Sequence, residues 1–170
     1  MDTMVVYFSR ADENWFDGDI RSIPVGNTER AAMAVARAAG TPAFKLEALE
    51  PYPANYQACV DRSRAELEAE ARPALKALPE GIEDCKTVYL GYPMWCGTAP
   101  MPVYTFLEAV NWEGKTIRPF CTHEGSGLGS TLSHLRKACP AAKVEAGLAI
   151  VGSEAGSSAT EARIRRWVQG

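Results

Sequence analysis

The sequence is short of positive charge, of histidine and of paired cysteine, and each shortage removes a class of function. Its 18 Lys and Arg are outnumbered by 21 Asp and Glu, a formal net charge of −3. A polyanion needs a basic face, so this balance argues against nucleic acid as a partner. Mild acidity suits a protein that meets basic partners or stays soluble. The five cysteines (Cys59, Cys85, Cys96, Cys121 and Cys139) are odd in number and form no C-x-x-C pair. That speaks against a disulfide framework and against a zinc site. Only two histidines are present, His123 and His134, in settings too dissimilar to share a metal. Long apolar runs are absent as well. Met4 to Phe8 is too short for a signal peptide or a membrane span, so a cytoplasmic protein is expected.

Familiar catalytic signatures are also missing. Nothing matches G-x-x-x-x-G-K-[ST], which argues against a magnesium-dependent triphosphate site. The run Gly125-Ser126-Gly127-Leu128-Gly129-Ser130 has serine where G-x-G-x-x-G needs its third glycine, and it stands far from the first strand. It is no esterase elbow either, because Glu124 and Leu128 occupy the glycine places of G-x-S-x-G.

What is present is an alternation of apolar strand-like runs with helical segments. Its 170 residues suit one compact domain. Strands are expected at Met4 to Phe8, Ala43 to Leu46, Thr87 to Tyr92, Thr116 to Thr122 and Val144 to Val151. Helices are expected from a cap at Asn27 or Thr28 to a stop at Gly40, and over Tyr56 to Ala71 with Cys59, Val60 and Leu67 on its apolar stripe. Three more follow over Met101 to Val110, Thr131 to Ala138 and Ala159 to Val168. Five strands separated by helices imply right-handed crossovers and a doubly wound α/β domain, a five-stranded parallel sheet with helices on both faces.

In such a sheet a ligand binds outside the carboxyl ends of the strands, so the segments after strands one, three and four carry the candidates. After strand one come Ser9-Arg10 and, later, Gly26-Asn27-Thr28 opening a helix, where amides and the helix dipole favour an anion. No lysine stands there, so a phosphate monoester held by neutral donors fits, and simple capping by Ser9 and Thr28 fits equally well. After strand three, Pro93-Met94-Trp95-Cys96-Gly97-Thr98 places a tryptophan on a loop between prolines. Either a flat ligand covers its ring or the indole packs on its own domain. After strand four, Thr122-His123-Glu124-Gly125-Ser126-Gly127 offers small residues and amides to wall the other face of a planar ligand. His123 and Glu124 are candidates to titrate there or are ordinary loop polarity. Cys96 and Cys121 read as buried small hydrophobes, and His134 as a solvated helical residue without a partner.

The motifs together resemble a known family. Tyr7-Phe8-Ser9-Arg10 with Val25-Gly26-Asn27-Thr28-Glu29 is similar to the flavodoxin phosphate loop, interrupted by the segment Ala11 to Pro24. Gly91 to Pro100 and Pro119 to Gly127 resemble the two flavin-ring loops of small flavodoxin-like proteins, and Pro51 to Tyr56 and Thr105 to Glu108 are similar to that branch too. The resemblance spans nearly the whole chain. It implies a flavodoxin-like fold and noncovalent FMN, with Ser9, Arg10, Gly26, Asn27 and Thr28 at the phosphate. Pro93, Met94, Trp95, Cys96, Gly97 and Thr98 would lie on one side of the isoalloxazine and Thr122 to Gly127 on the other. Trp95 is the stacking candidate. The segment Ala11 to Pro24, with Trp15 and Phe16, is foreign to the plain loop and would fold over the ribityl chain or offer a partner surface. Two functions follow: an electron carrier between redox partner proteins, or an NAD(P)H-dependent FMN oxidoreductase acting on quinones or similar acceptors. No residue obviously reads a nicotinamide, which favours the carrier; a homodimer is left open.

Overall fold

A computed structural model describes all 170 residues. The chain runs β1 (Thr3–Phe8), β2 (Asp12–Phe16), β3 (Asp19–Ile23), α1 (Asn27–Ala39), β4 (Ala43–Leu46), α2 (Tyr56–Glu68), β5 (Thr87–Pro93) and α3 (Met101–Ala109). It continues through β6 (Thr116–His123), α4 (Thr131–Ala138), β7 (Lys143–Val144), β8 (Leu148–Val151) and α5 (Ser158–Gln169). The main sheet is parallel throughout, in the order β4-β1-β5-β6, with β7 and β8 pairing in turn along the outer side of β6. The doubly wound parallel sheet expected from the sequence is therefore present.

Strand residues alternate between two cores because successive side chains leave opposite faces. Met4, Val6, Phe8, Val88, Leu90 and Tyr92 pack beneath α3 and α4, with Phe106, Leu107 and Leu135. Val5, Tyr7, Tyr89 and Phe120 face α1 and α5, against Ala31, Ala32, Val35 and Ile164. The alanines of α1 let that helix lie close to the strands. At Gly91 the approach is closer still: a Cβ there would stand 2.3 Å from Cζ of Phe120.

Three boundaries differ from the sequence expectation, each for a physical reason. First, α2 stops at Glu68 rather than reaching Ala71. Glu70 turns left-handed (φ 48°), its amide bonds to Leu67 O, and the Ala71 amide bonds to Glu66 O at 2.8 Å, the hydrogen-bond pattern that closes many helices. Second, the last strand is broken. The Glu145 amide donates to Ile117 O at 2.9 Å, so residues 117 and 119 both turn their backbone groups towards the outer edge. Pro119 has no N–H to offer there, and pairing lapses until Phe120 meets Leu148.

Third, Ala11 to Pro24 holds an antiparallel hairpin of its own, β2 with β3, turned at Asp17 (φ 52°) and Gly18 (φ 82°). Two consecutive positive φ values make a tight primed turn, whose twist matches the strands it joins. Arg10 fastens the hairpin's base to the segment before α2, donating to Pro53 O at 2.6 Å and Ala54 O at 2.7 Å as well as to Glu13 O. Glu13 completes the attachment by accepting the Tyr56 amide at 2.8 Å.

Two measurements test this account. Gly91→Ala should lower unfolding stability by about 1–3 kcal/mol through overpacking. Combining it with Phe120→Leu should recover part of that loss, because the clash is with one ring. Glu13→Ala should speed hydrogen exchange about tenfold in residues 12–23 and at the first turn of α2, leaving the amides of β1, β5 and β6 unchanged.

Candidate functional site

A cleft of about 620 Å³ opens at the carboxyl ends of β1, β5 and β6. That volume lies within the usual range of small-molecule sites. The three segments named from the sequence meet there, and the hairpin and α2 form its remaining walls.

At one end lies the start of α1. Gly26 is the residue before the first helical turn and has no side chain to cap it. Instead the Ser9 hydroxyl, arriving from the end of β1, accepts the Glu29 amide at 3.0 Å. The Asn27 and Thr28 amides have no partner within the protein. Gly26 is required by this close approach, since a Cβ there would meet Ser9 Oγ at 2.1 Å and Arg10 O at 2.7 Å. Capping, which the sequence left even with anion binding, is met by Ser9 for one amide only. Two more stay free, and the Thr28 hydroxyl is bonded to that of Thr122 at 2.7 Å. Two buried polar atoms near this end have no partner, Arg10 Nε and Asn27 Oδ1.

The middle wall is the turn after β5. The Trp95 amide donates to Thr98 O at 2.8 Å and the Thr98 amide to Trp95 O at 3.1 Å. Cys96 (φ 51°) and Gly97 (φ 82°) form the two corners between them. Both have positive φ, which suits Gly97 and strains Cys96. Trp95 is half-buried and packs edge-on against Phe8 (5.2 Å between ring centroids) and Tyr52 (5.0 Å), while its remaining surface lines the cleft. Packing on the domain and facing a ligand are therefore not alternatives for this ring.

The opposite wall is the loop after β6. The His123 Nδ1 accepts the Gly125 amide at 2.9 Å, leaving its proton on Nε2. Burial, helped by the Arg163 charge, holds the His123 pKa below its ordinary value. Glu124 is raised instead. Partial burial disfavours its charge, while the Asp17 amide at the hairpin tip works the other way. The inserted hairpin thus reaches from α2 to this loop and closes one side of the cleft.

Of the residues singled out from the sequence, Ser9, Arg10, Asn27, Thr28, Pro93, Met94, Trp95, Cys96, Thr122, His123, Glu124 and Ser126 line the cleft. Gly26, Gly97, Thr98, Gly125 and Gly127 do not, although each supports a turn that does. Thr98 points inward, its hydroxyl bonded to Tyr104 Oη at 2.6 Å and His134 Nδ1 at 2.9 Å. That contact corrects the expectation that His134 lacks a partner. Cys96 is exposed, not a buried small hydrophobe, because the turn's corner projects it outward. Cys121 is buried as expected.

Asn14 and Trp15 of the inserted segment, for which a place over the ligand or a partner surface was expected, also line the cleft, and sequence reasoning missed Tyr56, Cys59, Val60, Ser63, Arg64 and Gly152. Half of the signal was present. The Asp17-Gly18 pair between two mixed-polarity runs marks a hairpin, and a hairpin inserted beside a ligand loop has to lie over the site. The contribution of α2 carried no local signal.

A model of the flavodoxin family matches residues 21–170. Comparison with curated proteins finds no match. Among solved structures, a protein provisionally described as a flavoprotein from Bacteroides eggerthii is 28% identical, with 99% of this chain and 96% of that one covered and a TM-score of 0.78. A second, from Bacteroides uniformis and described in the same way, is 25% identical over 99% and 98% of the two chains, with a TM-score of 0.77. A flavoprotein from Lactobacillus acidophilus, solved in complex with FMN, is 18% identical over 90% and 95%, with a TM-score of 0.68.

Proposed function

The chain belongs to the flavodoxin family, and on that premise we propose that it holds one FMN without a covalent bond in this cleft and transfers electrons between redox partners. The observation that carries the reading is the start of α1. Free amides at Asn27 and Thr28 and a Gly26 that admits no side chain together form a cradle for a phosphate group. Arg10 also lines the cleft, and its buried Nε–H has no partner. Each fits a phosphate monoester better than an apolar group.

The rest of the cleft fits the rest of FMN. Pro93, Met94, Trp95 and Cys96 would flank one side of the isoalloxazine, and Thr122, His123, Glu124 and Ser126 the other. Asn14 and Trp15 of the hairpin line the cleft and would cover the phosphate and ribityl end. The FMN complex of the Lactobacillus acidophilus relative supports the same cofactor. When bound, FMN supplies one- and two-electron chemistry, and the protein's part is to orient the ring and set its electrostatic surroundings. Arg10 is engaged with backbone carbonyls, and partial burial raises the pKa of Glu124 at the rim.

A second reading, an NAD(P)H-dependent FMN oxidoreductase acting on quinones or similar acceptors, has one feature in its favour. Trp15 and Tyr56 pack with centroids 6.4 Å apart at the cleft wall beside Arg64, an aromatic and cationic surface on which a planar acceptor could rest.

The purified protein should show oxidised-flavin absorbance and release FMN on denaturation. In titrations of flavin-free protein, Asn27→Ala should weaken FMN binding about tenfold, roughly 1.4 kcal/mol, with little change in thermal stability without FMN; Ser9→Ala should weaken binding similarly and also lower apo stability by about 1 kcal/mol, because it removes the cap on the Glu29 amide. A colourless protein that does not bind added FMN would refute the proposal. In stopped-flow mixing, slow bleaching by NAD(P)H is expected for the carrier, and rapid bleaching would establish the oxidoreductase.

A further inference from the structure

Three of the five cysteines are locked in the interior. Burial pushes the Cys121 and Cys139 thiols up to about 12, and the Cys85 thiol donates to Thr87 O at 3.3 Å. The other two both line the cleft. Cys96 is exposed at the first corner of its turn, a left-handed position that Asn, Asp or Gly would occupy with less strain. A strained, solvent-facing nucleophile beside a ligand cleft calls for a reason beyond packing. The Cys96 sulfur lies 3.7 Å from the Ser63 hydroxyl of α2. Cys59 stands four residues earlier on that helix, so Cys59 and Ser63 share the face that looks into the cleft. Burial raises the Cys59 thiol, and the Arg10 and Arg62 guanidiniums oppose that rise.

We propose that Cys59 and Cys96 form an oxidation site, in which a peroxide converts the two thiols into one disulfide that staples α2 to the turn after β5. The exposed Cys96 reacts first. Its thiolate attacks one peroxide oxygen, the O–O bond breaks, and the departing hydroxide takes up a proton as water, leaving a sulfenic acid. The Cys59 thiolate then attacks that sulfur; the S–S bond forms, the S–O bond breaks, and the second hydroxide leaves as water. Two thiols and one hydrogen peroxide give one disulfide and two waters. The sulfurs have to close to about 2.05 Å, which requires α2, whose only fully buried residue is Cys59, to shift towards the turn.

Both cysteines line the cleft, and the proposal does not rest on its occupant, so the test uses the full-length protein without flavin. After brief treatment with equimolar hydrogen peroxide, thiols are alkylated under denaturing conditions and counted by mass. The count should fall from five to three, and peptide mapping should find Cys59 joined to Cys96. In Cys59→Ser, the same treatment should leave Cys96 as a sulfenic or sulfinic acid with no cross-link. In Cys96→Ser, Cys59 should stay alkylatable. Retention of all five thiols, a disulfide between any other pair, or overoxidation of Cys96 in the unmodified sequence while Cys59 remains free would overturn the proposal. FMN binding is measured separately, so its failure would not be mistaken for failure of this pair.

Discussion

A single buried contact ties the halves of the cleft together. The hydroxyls of Thr28 and Thr122 meet at 2.7 Å, 94 residues apart in sequence. One belongs to the first turn of α1 and the other to the end of β6. Neither has water to fall back on, since both residues are buried, so each hydroxyl depends on the other. This bond sets where the free amides of α1 stand relative to the loop that carries His123 and Glu124. Ser9 adds a second tie from β1 through the Glu29 amide. The site is therefore an alignment of three strand ends, and its precision comes from buried hydroxyls rather than from charged pairs.

The hairpin between Asp12 and Ile23 changes what this fold can do at that alignment. It is held at its base by Arg10 and Glu13, whose partners are backbone groups around the start of α2. Its tip meets Glu124. It brings apolar surface to the rim: Trp15 is 42% exposed and Ile20 44%. Two exposed apolar side chains on a two-stranded element are affordable only because the sheet beneath is already complete.

Much of this architecture was legible in the sequence, for identifiable reasons. The Thr87 to Tyr92 run is apolar at consecutive positions because both faces of β5 are covered, and such runs read clearly. The three cleft loops were legible because glycine, proline and hydroxyl residues cluster where the backbone turns tightly at the strand ends. What stayed hidden depends on tertiary partners. Cys96 reads as a small hydrophobe until Trp95 and Thr98 are seen to pair across it. His134 acquires its role only through Thr98, 36 residues away. The lining residues of α2 were obscure because that helix mixes charged, polar and apolar residues, and its orientation is set by Arg10 and Glu13 from another element. The gap in the last strand was written in Pro119, but on the neighbouring strand rather than on the broken one.

That gap has a consequence for how the molecule behaves in company. An open parallel sheet presents two rims of unpaired backbone, each a template on which another chain can grow. Here one rim is split into segments of two and four residues, and the other is a single four-residue strand. Neither offers the long, flat ladder that strand-by-strand self-association requires. The same proline that interrupts the outermost strand thus acts as a guard against aggregation.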